Sequence, residues 1–137
     1  MCRALLHWEV LREDGRLPLD GTLDLRTDED LAPHFYLVRL APAVAASPVE
    51  YCGSVLGDLC ENDPHGRPAG DALPIGVSER MVDFFHSAAR YRQVLADSGS
   101  FISRRGDILY RNIVMPLQDA DGVVVSIAGA FSYRIET

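Results

Sequence analysis

The sequence predicts an α+β fold: an antiparallel sheet of five strands, helices flanking it, and an amphipathic helix at the N-terminus. Three observations lead there. First, residues 123–135 alternate without a break, with Val123, Val125, Ile127, Gly129, Phe131, Tyr133 and Ile135 on one face and Val124, Ser126, Ala128, Ala130, Ser132 and Arg134 on the other. A period of two is that of a strand; it separates a bulky face, suited to a core, from a small face that a helix can approach closely. Second, residues 101–103 and 108–117 read as two preceding strands, joined by a turn at Arg104-Arg105-Gly106. The hairpin loop Asp119-Ala120-Asp121-Gly122 then leads into the long strand, with Gly122 supplying positive φ. Third, the helical periodicity precedes this meander instead of alternating with its strands, which is α+β order.

Length and composition set the bounds. The chain has 137 residues, the size of one domain, and 47% of them are apolar, ordinary for a protein with a real core. No run of about 18 apolar residues exists to span a membrane. The opening Met1-Cys2-Arg3-Ala4-Leu5-Leu6 is too short and too soon polar for a signal peptide, so a cytoplasmic protein is expected. The net charge of −7 argues against nucleic acid and anionic membranes as main partners, because phosphate binding needs clustered cations. Cys2, Cys52 and Cys60 are odd in number and follow no secretion signal, so reduced thiols are expected. Cys52, Cys60 and His65 lack zinc-site spacing, and no metal is expected.

In chain order, residues 3–13 read as the amphipathic helix. Leu5, Trp8 and Leu11 recur at helical spacing, Leu6 and Val10 widen the stripe, and Asp14-Gly15 ends it. Such a face must be buried on its own sheet or on a second subunit, and Trp8 reads as packing. Residues 16–26 form a connector. Thr27 to Asp30 resembles a capping box with Thr27 as N-cap, its acids facing a helix dipole, and Pro33 limits the helix to about a turn. Residues 34–40 make the first strand, apolar on both faces and therefore central. After a loop at 42–48, residues 49–52 make the second strand and close a hairpin with the first. A short helix is expected at 54–59, then turns at Asn62-Asp63-Pro64 and Gly66. Ser78 suits the N-cap of the main helix, residues 79–96. Met81, Phe84, Phe85, Ala88, Tyr91 and Leu95 fall in one arc of its wheel, with Asp83, His86, Arg90 and Gln93 on or near the opposite side. Asp97-Ser98-Gly99 ends it.

Two strands, a patch of short helices, one long helix and a three-stranded antiparallel meander: this order resembles the PAS domain. The closer likeness is to the small stand-alone PAS proteins of alphaproteobacteria. It is carried by Trp8 in an opening helix, Gly15-Arg16-Leu17-Pro18, residues 24–35, Glu50-Tyr51-Cys52-Gly53-Ser54 and Asp63-Pro64-His65-Gly66. It ends on Met115-Pro116-Leu117-Gln118-Asp119 with Asp121-Gly122, where Met115 replaces the family's Leu. Cys52 stands where an arginine beside the tyrosine is expected. The resemblance implies a PAS domain over residues 16–137 with residues 1–15 as an added helix, and a sensor or adaptor in place of an enzyme. It implies a cavity between the sheet's inner face and the helices, one that takes haem, a flavin or a small metabolite, or is filled by side chains.

Tyr51, Phe84, Phe85, Tyr91, Met115 and Phe131 are the candidate cavity lining, though the same residues would fill an ordinary core. His86 lies on the long helix, where PAS haem sensors carry their ligand, but about 140° from Met81 on the wheel, which is the solvent face. His34 is a weaker candidate. Cys60-Glu61-Asn62 does not match the Asn-Cys-Arg stretch of flavin-adduct photoreceptors. Asp119 and Asp121 are explained by their turn, and Cys60 with His65 lacks an orienting third group, so no catalytic site is expected. The resulting expectation is a sensory domain that signals through a protein partner, as a homodimer built on residues 3–13 and the exposed sheet face. The alternative is a sensor binding haem or a small apolar molecule.

Overall fold

The computed structural model describes residues 2–12 and 16–136. The expected helix stop at Asp14-Gly15, and Gly15 of the Gly15-Arg16-Leu17-Pro18 motif, lie outside the described residues. Helix α1 (Cys2–Leu11) opens the chain and is followed by strands β1 (Phe35–Arg39) and β2 (Val49–Cys52). Short helices α2 (Ser54–Gly57) and α3 (Ala69–Ala72) lead to the main helix α4 (Ser78–Tyr91), and then come β3 (Leu95–Ser103), β4 (Gly106–Gln118) and β5 (Val124–Glu136). The five strands form one antiparallel sheet in the order β2-β1-β5-β4-β3. The long alternating strand thus lies at the centre, paired on both sides.

Each face of the sheet carries a buried core. On the inner face Tyr36, Val38, Ile108, Val114, Ile127 and Phe131 pack with Met81, Phe85 and Ala88 of α4. On the outer face Ala128, Ala130, Met115 and Leu117 pack with Ala4 and Trp8 of α1 and with Leu17, Leu23 and Leu25 of the connector. The small residues of β5 therefore admit a helix, as their size predicts, and that helix is the N-terminal one. Acids near residue 28 hold it down: Arg3 donates to Asp28 at 2.8 Å and Asp30 at 2.9 Å. These acids serve as partners for α1 in place of the expected helix-dipole role. Thr27 is not the cap; Asp24 accepts from the Arg26 N–H, and Asp28 from those of Asp30 and Leu31.

α1 and the connector also complete a strand edge. β3 pairs with β4 only as far as Val114, which leaves the end of β4 unpaired on that side. Pro116 offers no N–H there, and its carbonyl accepts the Trp8 indole N–H at 3.0 Å. Two residues on, along the same edge, Gln118 exchanges backbone hydrogen bonds with Pro18 and Asp20.

The main helix is shorter than its periodicity implies. Arg92 turns left-handed at φ 55°, its N–H bonds the Ala88 carbonyl, and the helix ends at Tyr91. Leu95 and Asp97-Ser98-Gly99 belong to β3, whose inward positions 95, 97, 99 and 101 keep strand alternation. Nor is Ser78 the cap: it is the first helical residue, and the chain enters through N–H bonds from Val77 and Ser78 to the Pro74 carbonyl.

Candidate functional site

The PAS-type cavity would lie between α4 and the inner face of the sheet. Here that space is taken by Tyr36. It projects from β1 opposite Gly129 of β5, and a Cβ on Gly129 would come within 1.8 Å of its ring. Glycine at this register position is what lets the ring lie across the sheet. The Tyr36 hydroxyl donates to Oδ1 of Asn112 on β4 at 2.8 Å, and both residues are buried. Burial pushes the phenol's pKa far above its usual value, so it stays protonated as a donor.

Aromatic contacts extend from it along the inner face. Tyr36 meets Phe85 of α4 at 5.9 Å, Phe131 stacks on Tyr110 at 5.6 Å with 8° between planes, and Phe101 meets Tyr110 at 6.0 Å. Tyr110 also donates to Asp97 at 2.9 Å, and Asp97 receives a bidentate pair from Arg80, both bonds 2.7 Å. The Arg80 guanidinium, opposed by burial and aided by the Tyr110 bond, lowers the Asp97 pKa. Burial, and then the bond to Asp97, pushes Tyr110 up to about 12.

The six residues expected to line a cavity do not converge. Phe85 and Phe131 belong to the inner core, and Phe84 packs at its margin beneath Arg80. Tyr91 is 60% exposed, because the helix ends there and β3 takes over the inner face. Tyr51 and Met115 pack on the outer cluster. A bulge in β2 opposite Leu37 and Val38 moves Tyr51 to the outer side, against Phe35, and puts Val49 and Cys52 on the inner one. Met115 pairs with Ala128, and partners across a ladder share a face. Tyr36, Asn112 and Gly129 were missed by the sequence reading. A glycine interrupting the bulky face of β5 was the available signal, since glycine inside a strand marks close approach.

The remaining candidates are also placed. His86 is exposed, on the face the wheel assigns to solvent. His34 bonds the Phe131 carbonyl through Nδ1 at 2.8 Å. His65 accepts the Cys52 N–H at Nε2 and pairs Nδ1 with Asp63 at 2.6 Å, so neither nitrogen serves Cys60 as a base. Among the described residues, no three His, Cys, Asp or Glu side chains converge to hold a metal. Haem and flavin do not fit the inner face as it stands: Tyr36 occupies it, and no buried polar side-chain atom among the described residues lacks a partner that a ligand could supply.

Two open surfaces lie on the outer side of the sheet, among others in the described residues. On α1, Leu6 is 61% and Val10 81% exposed, one turn apart on the side away from the sheet. On the outer face beyond α1, a shallow depression of about 670 Å³ includes Ser98, Ser100, Leu109, Arg111, Ser132 and Arg134.

No family model matches the chain, and no curated protein matches it. Solved structures do. A sensory box sensor histidine kinase from Vibrio cholerae aligns with TM-score 0.56 at 10% identity, over 77% of this chain and 86% of that one. The dark structure of the blue-light photoreceptor Aureochrome1 LOV gives 0.56 at 19%, over 88% and 90%. A Vibrio cholerae VqmA dimer, described as a LuxR-type receptor, gives 0.59 at 10%, over 82% of this chain and 52% of that one, so the chain spans about half its length. The architecture is the PAS fold, the one shared with light-oxygen-voltage domains.

Proposed function

We propose that the chain is a cytoplasmic sensory or signalling domain of the PAS type that works by protein–protein contact, as a homodimer that docks on a signalling partner. The observation that carries this is the filled inner face. With Tyr36 lying over Gly129 and bonded to Asn112, the space a ligand sensor would use is core, and signalling falls to the surface. α1 supplies such a surface. Ala4 and Trp8 fix one side of it to the sheet, while Leu6 and Val10 stay exposed and can meet the same residues of a second copy across a two-fold axis. The open outer sheet face beside it extends the contact. The VqmA receptor of like fold is described as a dimer. In this reading residues 1–15 are an appended helix on a signalling domain of residues 16–137, and the likeness to the alphaproteobacterial PAS proteins belongs to the same proposal.

Sedimentation velocity tests it. The protein should run as a dimer, and Leu6→Glu with Val10→Glu should shift it to monomer with unchanged circular dichroism, since neither side chain is in the core. A monomeric wild type, or a variant that sediments like the wild type, overturns the homodimer. The freshly purified protein should be colourless and release no stoichiometric small molecule on denaturation. A Soret or flavin band, or a released apolar ligand, would replace this reading with the ligand sensor.

A further inference from the structure

We propose that the free edge of β3 is a docking site for an extended segment of the signalling partner. The segment adds to the five-stranded sheet as a further strand, and it carries an acidic residue and, three positions away, a large apolar one. This rests on the reading that the domain signals by protein contact, and it names the kind of segment the partner brings.

The chain covers its other strand edges and leaves this one bare. At the far side of the sheet β2 is covered by the loop after α2. The Val49 N–H bonds the Arg67 carbonyl at 3.0 Å, the Gly66 N–H bonds the Val49 carbonyl at 2.7 Å, and the Cys52 N–H reaches His65 at 3.3 Å. The end of β4 is closed by Trp8 and by the bonds of Gln118 to Pro18 and Asp20. β3 pairs with β4 over its nine residues without a bulge, and among the described residues its backbone bonds nothing on the other side. Ala96, Ser98, Gly99, Ser100 and Ile102 are exposed. Proteins blunt such edges with proline, lysine, a bulge or an inward charge. β3 has none of the first three, and its one charge, Asp97, is neutralised by Arg80. Alternate N–H and C=O groups along the strand therefore face solvent, a template for a further strand.

The flanks of the edge select the segment. On the outer face Ser98 lies opposite Arg111 across the ladder, and Ser98 and Arg111 line both shallow depressions on this part of the sheet. Arg111 is exposed and has no carboxylate within ion-pair distance among the described residues. An added strand would lie two strand spacings from β4, about 10 Å, and serine is short enough for an arginine to reach over it to a glutamate or aspartate. Arg134, on the same face, already leans on Glu136 at 4.0 Å, and Asp107 stands opposite Ile102. The acid of the segment therefore belongs at the Ser98 end.

At the Phe101 end the edge opens into a cleft of about 460 Å³ walled by Leu59, Pro74, Ile75 and Phe101, with Arg104 and Arg105 also lining it. The loop beside it is held close: a Cβ on Gly76 would come within 2.7 Å of the Phe101 ring. Ile75 stays 77% exposed there. Phe101 faces the inner side, so the neighbouring residue of an added strand points to this cleft and finds apolar cover. Residues beside Ser98 and Phe101 are three apart on the segment and on opposite faces, whichever way it runs. A second copy of β3 does not meet these needs. Antiparallel and centred on Gly99, it would set Ser100 beside Ser98 and Arg111, and Asp97 beside Phe101 and the apolar cleft.

Amide hydrogen exchange, read by NMR on the full-length protein, tests the edge first. In the free protein alternate amides of β3 should exchange fast while those facing β4 stay protected. Protection of both sets would mean that a second copy already covers the edge, and overturns the proposal. Random peptides displayed on phage, long enough to span β3, then serve as the probe. The enriched peptides should share an acid and a large apolar residue three apart, and one of them in synthetic form should protect the fast amides. Arg111→Glu and Ile75→Asp should each weaken its binding on the order of tenfold, and exchanging the peptide's acid for arginine should recover the Arg111→Glu loss. No enriched family, or peptides that leave those amides exchanging or bind Arg111→Glu as well as wild type, overturns the proposal. Leu6→Glu with Val10→Glu should bind the same peptides, so the edge and the α1 dimer stand or fall separately. Should a variant fail to fold, wild-type exchange with and without peptide decides.

Discussion

Tyr36 and Gly129 are a matched pair, and each restricts the other. The ring lies where a Cβ on residue 129 would be, so Gly129→Ala can be accommodated only by displacing a fully buried side chain or the central strand. A loss of about 3 kcal/mol or more is expected, the upper end of what overpacking costs; equilibrium denaturation in urea measures it. Tyr36→Phe is the gentler probe. It keeps the ring but leaves the buried Asn112 carbonyl oxygen without its donor, and should cost about 1–3 kcal/mol while preserving the fold. If Tyr36→Phe were as stable as wild type, the Tyr36–Asn112 bond would not be part of what holds the inner face. The pair also shows why the candidate site was only half legible. Phe85 and Phe131 are large, apolar and in phase with their elements, so periodicity finds them. Tyr36 follows from a glycine, an absence of side chain, whose meaning appears only once β1 is known to lie beside β5.

At the scale of elements, α4, β3 and β4 are joined through Asp97. Arg80 comes from α4, Tyr110 from β4, and Asp97 from a stretch that reads in sequence as a helix stop. Asp-Ser-Gly is turn chemistry locally; pairing with nine consecutive residues of β4 overrides it. The same override hides the outward turn of Tyr51, which depends on a bulge no periodicity announces. Because Asp97's folded pKa is lowered, its contribution to stability is fully present above about pH 4 and is lost as pH falls through the lowered value. Asp97→Asn should therefore cost about 1–2 kcal/mol at neutral pH, with the gap to wild type closing in acid. Thermal melts across the acid range decide this, and a gap independent of pH would mean that the charge is not what matters. Trp8→Phe tests another junction: it retains most of the outer-face packing but leaves the Pro116 carbonyl without its donor, for about 1–3 kcal/mol. Hydrogen exchange should also quicken in β4 beyond Val114, where that bond and the Gln118 bridge replace a missing strand.

At the scale of the whole molecule, one sheet carries two cores. β5 contributes Ile127 and Phe131 to one and Ala128 and Ala130 to the other, so neither face can lose its order without exposing the strand that serves both. The sequence shows α1 as a short amphipathic helix of ambiguous partner, since a stripe of apolar residues says that something is covered and not what. The structure places its partner on the same sheet, with the Trp8 bond and the Arg3 pairs to Asp28 and Asp30 fixing the contact. The chain has one tryptophan, and it reports this outer layer alone. Far-UV circular dichroism reports the sheet and α4. If the two layers stand or fall together, Trp8 fluorescence and the dichroism should trace one transition, with a single midpoint and slope in urea. If α1 is instead an appendage that leaves while the sheet persists, fluorescence should change first, at lower denaturant. Coincidence is the expected outcome, because losing α1 would uncover Ala128, Ala130 and Met115 and orphan the edge of β4 at a single stroke.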